Sequence, residues 1–212
     1  MSENDPSAWC LRLLRRFREA TLSFGDRRAA ARFVIDRTNG RIVMPVETEA
    51  GRHSEFTLFL PSESDCDASV MLAPARIDRP EGSEAVDRWS VYHGEPPTSA
   101  VWTASRVLGL KSMVDAADSI FDEATLTVPN TLGVSEFALI RRANADRQRL
   151  IAASSVIASI DIPDARCIGV DPDGLDVRAP FGIVRLEFPY AAVDVPTAEL
   201  MLTNLLNSGE SV

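Results

Sequence analysis

The segment spanning residues 168–189, IGVDPDGLDVRAPFGIVRLEFP, restricts the fold of this chain more than any other stretch. It predicts three short strands joined by two tight turns. The Asp-Pro-Asp-Gly sequence at 171–174 places proline at the second position of a β-turn, where its fixed φ fits, and glycine at the fourth. Apolar and charged residues alternate along the two strands that follow. We therefore expect an antiparallel meander, flanked by helices on both sides.

The part of the chain before the meander contains the patterns of further helices and of the strands of a barrel. Two helices are predicted first, from Ser7 to Leu22 and from Arg27 to Asp36. Strands follow, then a short helix that ends before Gly94, where glycine is well suited to a C-terminal cap, and then further strands. The fold class we predict is α+β, with a domain at 1–128 formed by the N-terminal helices and the barrel, and a small α/β domain at 129–212.

The charge and cysteine content of the chain argue against several functional classes. A net charge of −9 over 212 residues does not suit nucleic-acid binding, which needs a basic surface. No uncharged run exceeds about a dozen residues, fewer than the roughly 20 that span a bilayer. Cys10, Cys66 and Cys167 are far apart and form no CxxC pair, so neither a zinc site nor a disulfide framework is expected. We expect a cytoplasmic protein without a membrane or nucleic-acid partner.

Three aspartates in the meander, Asp171, Asp173 and Asp176, raise the question of a calcium site. An EF-hand loop has glycine at its sixth position and glutamate at its twelfth. Counted from Asp171, the fourth residue here is Gly174, and the twelfth is Gly182 in place of a glutamate. The spacing therefore favours a β-turn, and no metal site is predicted.

The densest group of polar and aromatic residues is Arg88, Trp89, Tyr92 and His93. On a helix, Arg88 and Tyr92 share one face, and Trp89 and His93 form the adjoining pair. The group could bind a planar cofactor: an aromatic ring would stack on it, an arginine would hold its acidic tail, and the histidine would act as ligand or proton carrier. Alternatively, Trp89 packs on the body of the protein and His93 bonds to the backbone.

Arg106 is a further candidate for a cofactor contact. It follows Ser105 on a predicted strand, and this pair could hold the phosphate of a flavin. The alternative is that Arg106 only pairs with a residue on the neighbouring strand.

The residues Gly169–Arg178, GVDPDGLDVR, and Arg185–Pro189, RLEFP, resemble the C-terminal α/β domain of the bacterial haem-utilisation family. Members of that family carry this domain behind a pyridoxamine-phosphate-oxidase-like, FMN-binding split β-barrel. The resemblance implies a split barrel in the N-terminal half, a homodimer, and a flavin or tetrapyrrole ligand, with FMN and haem as the cofactors to test.

The chain differs from that family at two positions. The family usually begins the long helix of this domain with His-Met-Asn-x-Asp-His, whereas this chain has Arg142 and Arg147 at the histidine positions. A protonated guanidinium does not ligate iron as a neutral imidazole does. No histidine follows His93, so the sequence after that residue offers no imidazole as an iron ligand. The sequence therefore predicts a flavin- or tetrapyrrole-binding protein that is not a haem oxygenase. The alternative is a non-catalytic dimeric module, binding or structural, that has lost the cofactor site.

Overall fold

Two antiparallel sheets organise this α+β protein, one in each of its two compact units, Met1–Pro129 and Asn130–Val212. The computed structural model describes residues 6–112, 120–122 and 126–208. The predicted fold class, a split barrel followed by a small α/β domain with an antiparallel meander, is confirmed. No helix within these ranges is long and apolar enough to cross a membrane.

The first unit is a curled, half-barrel sheet with an apolar interior. Its strands follow the order β2-β1-β5-β6-β7-β4-β3, with β8 paired to β7. Residues alternate between the buried and the more exposed face along β1 and β5, as expected for strands with one face in a core. The elements are α1 (Pro6–Arg16), β1 (Glu19–Phe24), β2 (Arg27–Arg32), β3 (Val34–Ile35), β4 (Ile42–Val46), a 3₁₀ turn (Ala50–Arg52), β5 (Phe56–Pro61), β6 (Cys66–Arg76), α2 (Glu84–His93), β7 (Val101–Ser112) and β8 (Ile120–Asp122).

The helix predicted from Arg27 to Asp36 is wrong, and the first helix ends at Arg16 rather than Leu22. The chain instead forms a hairpin, in which β1 and β2 pair from Glu19–Arg32 to Phe24–Arg27. Gly25 begins the two-residue loop between them with a φ of +52°, a conformation that glycine adopts without strain. Pairing along the whole length of both strands outweighs the helix propensity of the three alanines in β2.

Strand β2 is one end of the sheet, and its arginines form ion pairs with glutamates of other segments. Arg28 Nε lies 3.2 Å from Glu63 Oε1. Arg32 Nε lies 3.0 Å from Glu19 Oε1. Arg27 pairs with Glu47 and Glu49. All these side chains are at least two-fifths exposed, so each pair contributes at most about 1 kcal/mol.

The second unit contains the predicted meander, whose three strands lie in the order β11-β10-β9. Asp146 and Asp194 cap the last two helices by accepting hydrogen bonds from the backbone N–H groups of Arg149 and Thr197. Apolar residues of both the sheet and the helices form a separate core. The elements are α3 (Glu136–Ala143), α4 (Arg147–Ala158), β9 (Arg166–Asp171), β10 (Gly174–Ala179), β11 (Gly182–Glu187) and α5 (Val195–Asn207).

A buried arginine ties the first turn of the meander to its third strand. The Arg185 guanidinium lies 2.5 and 2.9 Å from the two carboxylate oxygens of Asp171 and 3.2 Å from Asp176 Oδ1. Burial alone would lower the pKa of Arg185, but the carboxylates of Asp171 and Asp176 outweigh it and raise this pKa above its usual value. Asp171 and Asp176 are thus held by an arginine of the meander itself.

Candidate functional site

Helix α2 carries the four candidate residues that the sequence placed on adjoining faces. The helix ends at Gly94, which has a φ of +86° and donates its N–H to Ser90 O, as expected for a glycine C-cap. The predicted helix and its end are therefore confirmed. Arg88 and Tyr92 occupy one pair of positions four apart, and Trp89 and His93 the other.

Trp89 and His93 fasten α2 to the backbone between β2 and β3. Trp89 Nε1 donates to Arg32 O at 2.8 Å, and His93 Nε2 lies 3.1 Å from Phe33 O. The centres of the Trp89 and His93 rings are 4.9 Å apart. Trp102 of β7 contacts Trp89 edge to face, with 5.4 Å between the ring centres. Bonds to two successive carbonyls, together with ring contacts, hold the helix in one orientation.

Arg88 and Tyr92 form the other pair, which is contacted by Arg18 from the segment between α1 and β1. Arg88 Nη2 donates to Tyr92 Oη at 3.0 Å, with its guanidinium 5.1 Å from the ring centre. The guanidinium carbon of Arg18 lies 5.7 Å from the centre of the same ring. The Arg18 side chain also donates to the carbonyls of Arg15 and Phe17. Two cations thus contact one aromatic ring, an arrangement that also adds positive charge beside α2.

His93 is uncharged at neutral pH. Burial is the main cause that lowers the pKa of His93, to about 4, and the nearby Arg32 and Arg18 act in the same direction. The hydrogen bond to Phe33 O opposes them. Because a carbonyl only accepts, Nε2 carries the proton of the neutral ring and Nδ1 holds the lone pair. His93 therefore cannot offer Nε2 to a metal without breaking its contact with Phe33.

Replacing His93 with glutamine tests this assignment through the pH dependence of stability. The unfolded chain, with a histidine pKa near 6.5, binds a proton before the folded chain does, so the wild type loses stability as pH falls from about 6.5 to 4. We expect a loss of about 2–3 kcal/mol from this group across that window. His93→Gln keeps an N–H donor but does not titrate, so its urea midpoint should change less with pH than that of the wild type. Parallel pH profiles would contradict the lowered pKa.

Arg106 lies apart from the α2 group. It is an exposed residue of β7, opposite Ala73 of β6. Arg106 is four positions along the strand from Trp102, which corresponds to about 13 Å. The neighbouring Ser105 is fully buried and faces the other side of the sheet. The structure therefore brings Arg88, Trp89, Tyr92 and His93 together, while Arg106 and Ser105 lie on opposite faces of β7.

Sequence reasoning missed three partners of the α2 group: Arg18, Trp102 and the Arg32–Phe33 backbone. Arg18 belongs to a basic stretch that resembles a solvated helix face, and Trp102 lies in an otherwise ordinary strand. A carbonyl contributes no side-chain signal to the sequence. Within the described ranges no group of three or more His, Cys, Asp or Glu residues is arranged to hold a metal ion.

Comparisons with known proteins place the fold but not a family. No protein-family model matches the chain, and no curated protein does either. The chain is similar to the crystal structure of Atu2129, a protein of unknown function from Agrobacterium tumefaciens str. C58, with a TM-score of 0.68 and 18% identity over 95% of this chain and 96% of that one. It is also similar to a heme binding protein from Mycobacterium smegmatis, with a TM-score of 0.46 and 18% identity over all of both chains. The similarity to Atu2129 shows a shared fold along nearly the whole length of both chains.

Proposed function

We propose that this protein is a binding protein of the split-barrel type, that its ligand is a flavin or a tetrapyrrole, and that it does not degrade haem. The observation that carries the proposal is the state of His93. Its Nε2–H is donated to Phe33 O and its pKa is about 4, so the ring is neutral and does not act as a proton donor near neutral pH.

The arginines at the two histidine positions of the resembled motif support the same conclusion. Arg142 Nη1 lies 3.2 Å from Glu199 Oε2, and Arg147 Nη2 lies 2.5 Å from Asp164 Oδ1. Both guanidiniums form ion pairs, and neither has a lone pair to give to iron. Haem turnover by the mechanism of the resembled family would therefore lack its histidines.

The ligand class rests on the sequence resemblance and on the positive charge beside α2. Flavin phosphates and haem propionates are acidic, and the guanidiniums of Arg18 and Arg88 lie within 6 Å of the Tyr92 ring. Arginine is the side chain best suited to such groups because it offers paired donors. The same resemblance supports a homodimer, which light scattering of the purified protein would test.

A second candidate, a dimeric structural module without a cofactor, is favoured by one specific observation. The rings of Trp89 and Tyr92 are each only 3% exposed. Rings this buried already use their faces for packing, which favours a role as anchors of α2 over a role as an open wall for a ligand.

Titration of the purified protein with FMN and with haemin, followed by absorption spectroscopy, tests the proposal. We expect saturable binding of one of them, weakened about tenfold in Arg88→Gln because a charge-assisted contact is lost. Arg28→Gln, which removes an exposed arginine of β2, is the matched control and should bind normally. With ascorbate as reductant, we expect no biliverdin-like product.

Two results would contradict parts of this proposal. A protein that responds to neither ligand would favour the structural module. Enzyme-dependent formation of a biliverdin-like product would instead return the protein to the haem oxygenases.

A further inference from the structure

An open groove of about 500 Å³ lies in the second unit, between helix α3 and the start of strand β9. A cavity of this size suits a small organic molecule. Three arginines from three different elements line it: Arg141 of α3, Arg147 at the start of α4 and Arg166 at the start of β9. The residues that line the groove all belong to the unit 130–212, and none of them is part of the α2 group.

The groove is positively charged, although the chain as a whole is acidic. Asp164 is the one carboxylate in its lining, so the lining has a formal charge of +2 in a chain of net charge −9. Asp164 pairs with Arg147 at 2.5 Å. Arg141 and Arg166 form no ion pair with any carboxylate among the residues that the structure describes. Two guanidiniums therefore remain to bind an anion.

The backbone of the groove is held in place before any ligand binds. The Asn144 side chain donates to Ile140 O at 3.0 Å and to Cys167 O at 2.8 Å, and it accepts from Cys167 N at 2.9 Å. These bonds join the end of α3 to β9, the two walls of the groove. The Arg147–Asp164 pair adds a link between α4 and the segment before β9. A fixed site lowers the entropy lost on binding.

One wall also offers an apolar surface. Phe137 is 70% exposed, which is unusual for a phenylalanine, and it lies on α3 four residues before Arg141. The Arg141 guanidinium is 5.9 Å from the centre of the Phe137 ring. Ile140 and Ala165 contribute further apolar lining. A cation beside an exposed ring suits a ligand that has both an acidic group and an apolar body.

We propose that this groove binds a small organic anion, with its oxyanion held by Arg141 and Arg166 and its apolar body against Phe137. Phosphate and carboxylate share the required chemistry, because both present oxygens that match the paired donors of a guanidinium. The proposal does not depend on the flavin or tetrapyrrole ligand of the barrel, and it concerns different residues.

Isothermal titration calorimetry of the full chain with 1-naphthyl phosphate and with 1-naphthoate tests the proposal. We expect saturable binding of at least one, and the tighter of the two identifies the acidic group as phosphate or carboxylate. Neutral 1-naphthalenemethanol should bind at least about tenfold more weakly, since it lacks the charge-assisted contact. Binding should also weaken as sodium chloride is raised, because the groove is open to solvent.

Matched variants assign the binding to the groove. Arg141→Gln and Arg166→Gln should each weaken binding about tenfold, with unchanged melting temperatures because both residues are exposed. Arg149→Gln changes another exposed arginine of α4, one that does not line the groove, and should leave binding intact. Absence of saturable binding would overturn the proposal. Equal binding by Arg141→Gln, Arg166→Gln and the wild type would also overturn it.

Discussion

Gly174→Ala is expected to destabilise the meander by at least about 3 kcal/mol, from backbone strain and a steric clash together. Gly174 has a φ of +151°, a conformation that residues with a side chain rarely adopt. A Cβ atom at this position would lie 2.2 Å from Leu186 O and 3.0 Å from Glu187 Cα. Both atoms belong to the backbone of β11, which cannot move away without breaking the pairing of Gly174 with Glu187.

Gly182→Ala provides a control for backbone strain alone. Gly182 begins the next strand with a φ of +147°, but no described atom lies within 4 Å of its added Cβ. We expect Gly182→Ala to cost about 1–2 kcal/mol, so the excess in Gly174→Ala measures the clash.

Urea unfolding followed by circular dichroism would give both free energies of unfolding. Trp9, Trp89 and Trp102 all precede residue 130, so tryptophan fluorescence gives an internal reference for the other unit. Equal losses in the two variants would contradict the close approach of β10 to β11.

Arg185→Met is expected to destabilise the protein by about 3–5 kcal/mol, because it leaves buried carboxylates without their cation. The Arg185 side chain is 7% exposed, and those of Asp171 and Asp176 are 11% and 1% exposed. A methionine fills much of the same space, so the loss reports mainly on charge rather than on a cavity.

Neutralising the two carboxylates should recover part of that loss. In the triple variant Arg185→Met/Asp171→Asn/Asp176→Asn, no buried charge of this group remains uncompensated, so we expect it to be more stable than Arg185→Met alone. Arg166→Met replaces an exposed arginine of β9 and should change stability by less than about 0.5 kcal/mol. The free energies come from the same urea experiment. A triple variant no more stable than Arg185→Met would show that the cost lies in packing.

The meander was predictable because its signals are local and agree with one another. The turn sequence at 171–174, the alternation of apolar and charged residues, and the lengths of the strands all indicate the same three strands. The β1–β2 hairpin was missed, since its three consecutive alanines favour a helix. The available signal was Gly25-Asp26, a two-residue loop typical of a hairpin.

The candidate site was predictable in part for the same reason. Helical spacing alone places Arg88 beside Tyr92 and Trp89 beside His93, and the structure confirms both pairs. The partners of Trp89 and His93 are backbone carbonyls 57 and 60 residues away in sequence. Contacts of this kind depend on how α2 packs on the barrel, which no local pattern specifies. Whether the group binds a cofactor remains a prediction.

The arginine-rich end strand β2 has a consequence for the behaviour of the protein at high concentration. An end strand exposes backbone N–H and C=O groups that can pair with a strand of another molecule and start aggregation. Arg27, Arg28 and Arg32 place three guanidiniums along this strand, and all three are exposed. A second copy that added its own β2 would have to rearrange the ion pairs that these arginines form with Glu19, Glu47, Glu49 and Glu63. We therefore expect the charged side chains of β2 to disfavour edge-to-edge pairing at this end of the sheet, in spite of the alanines at the centre of the strand.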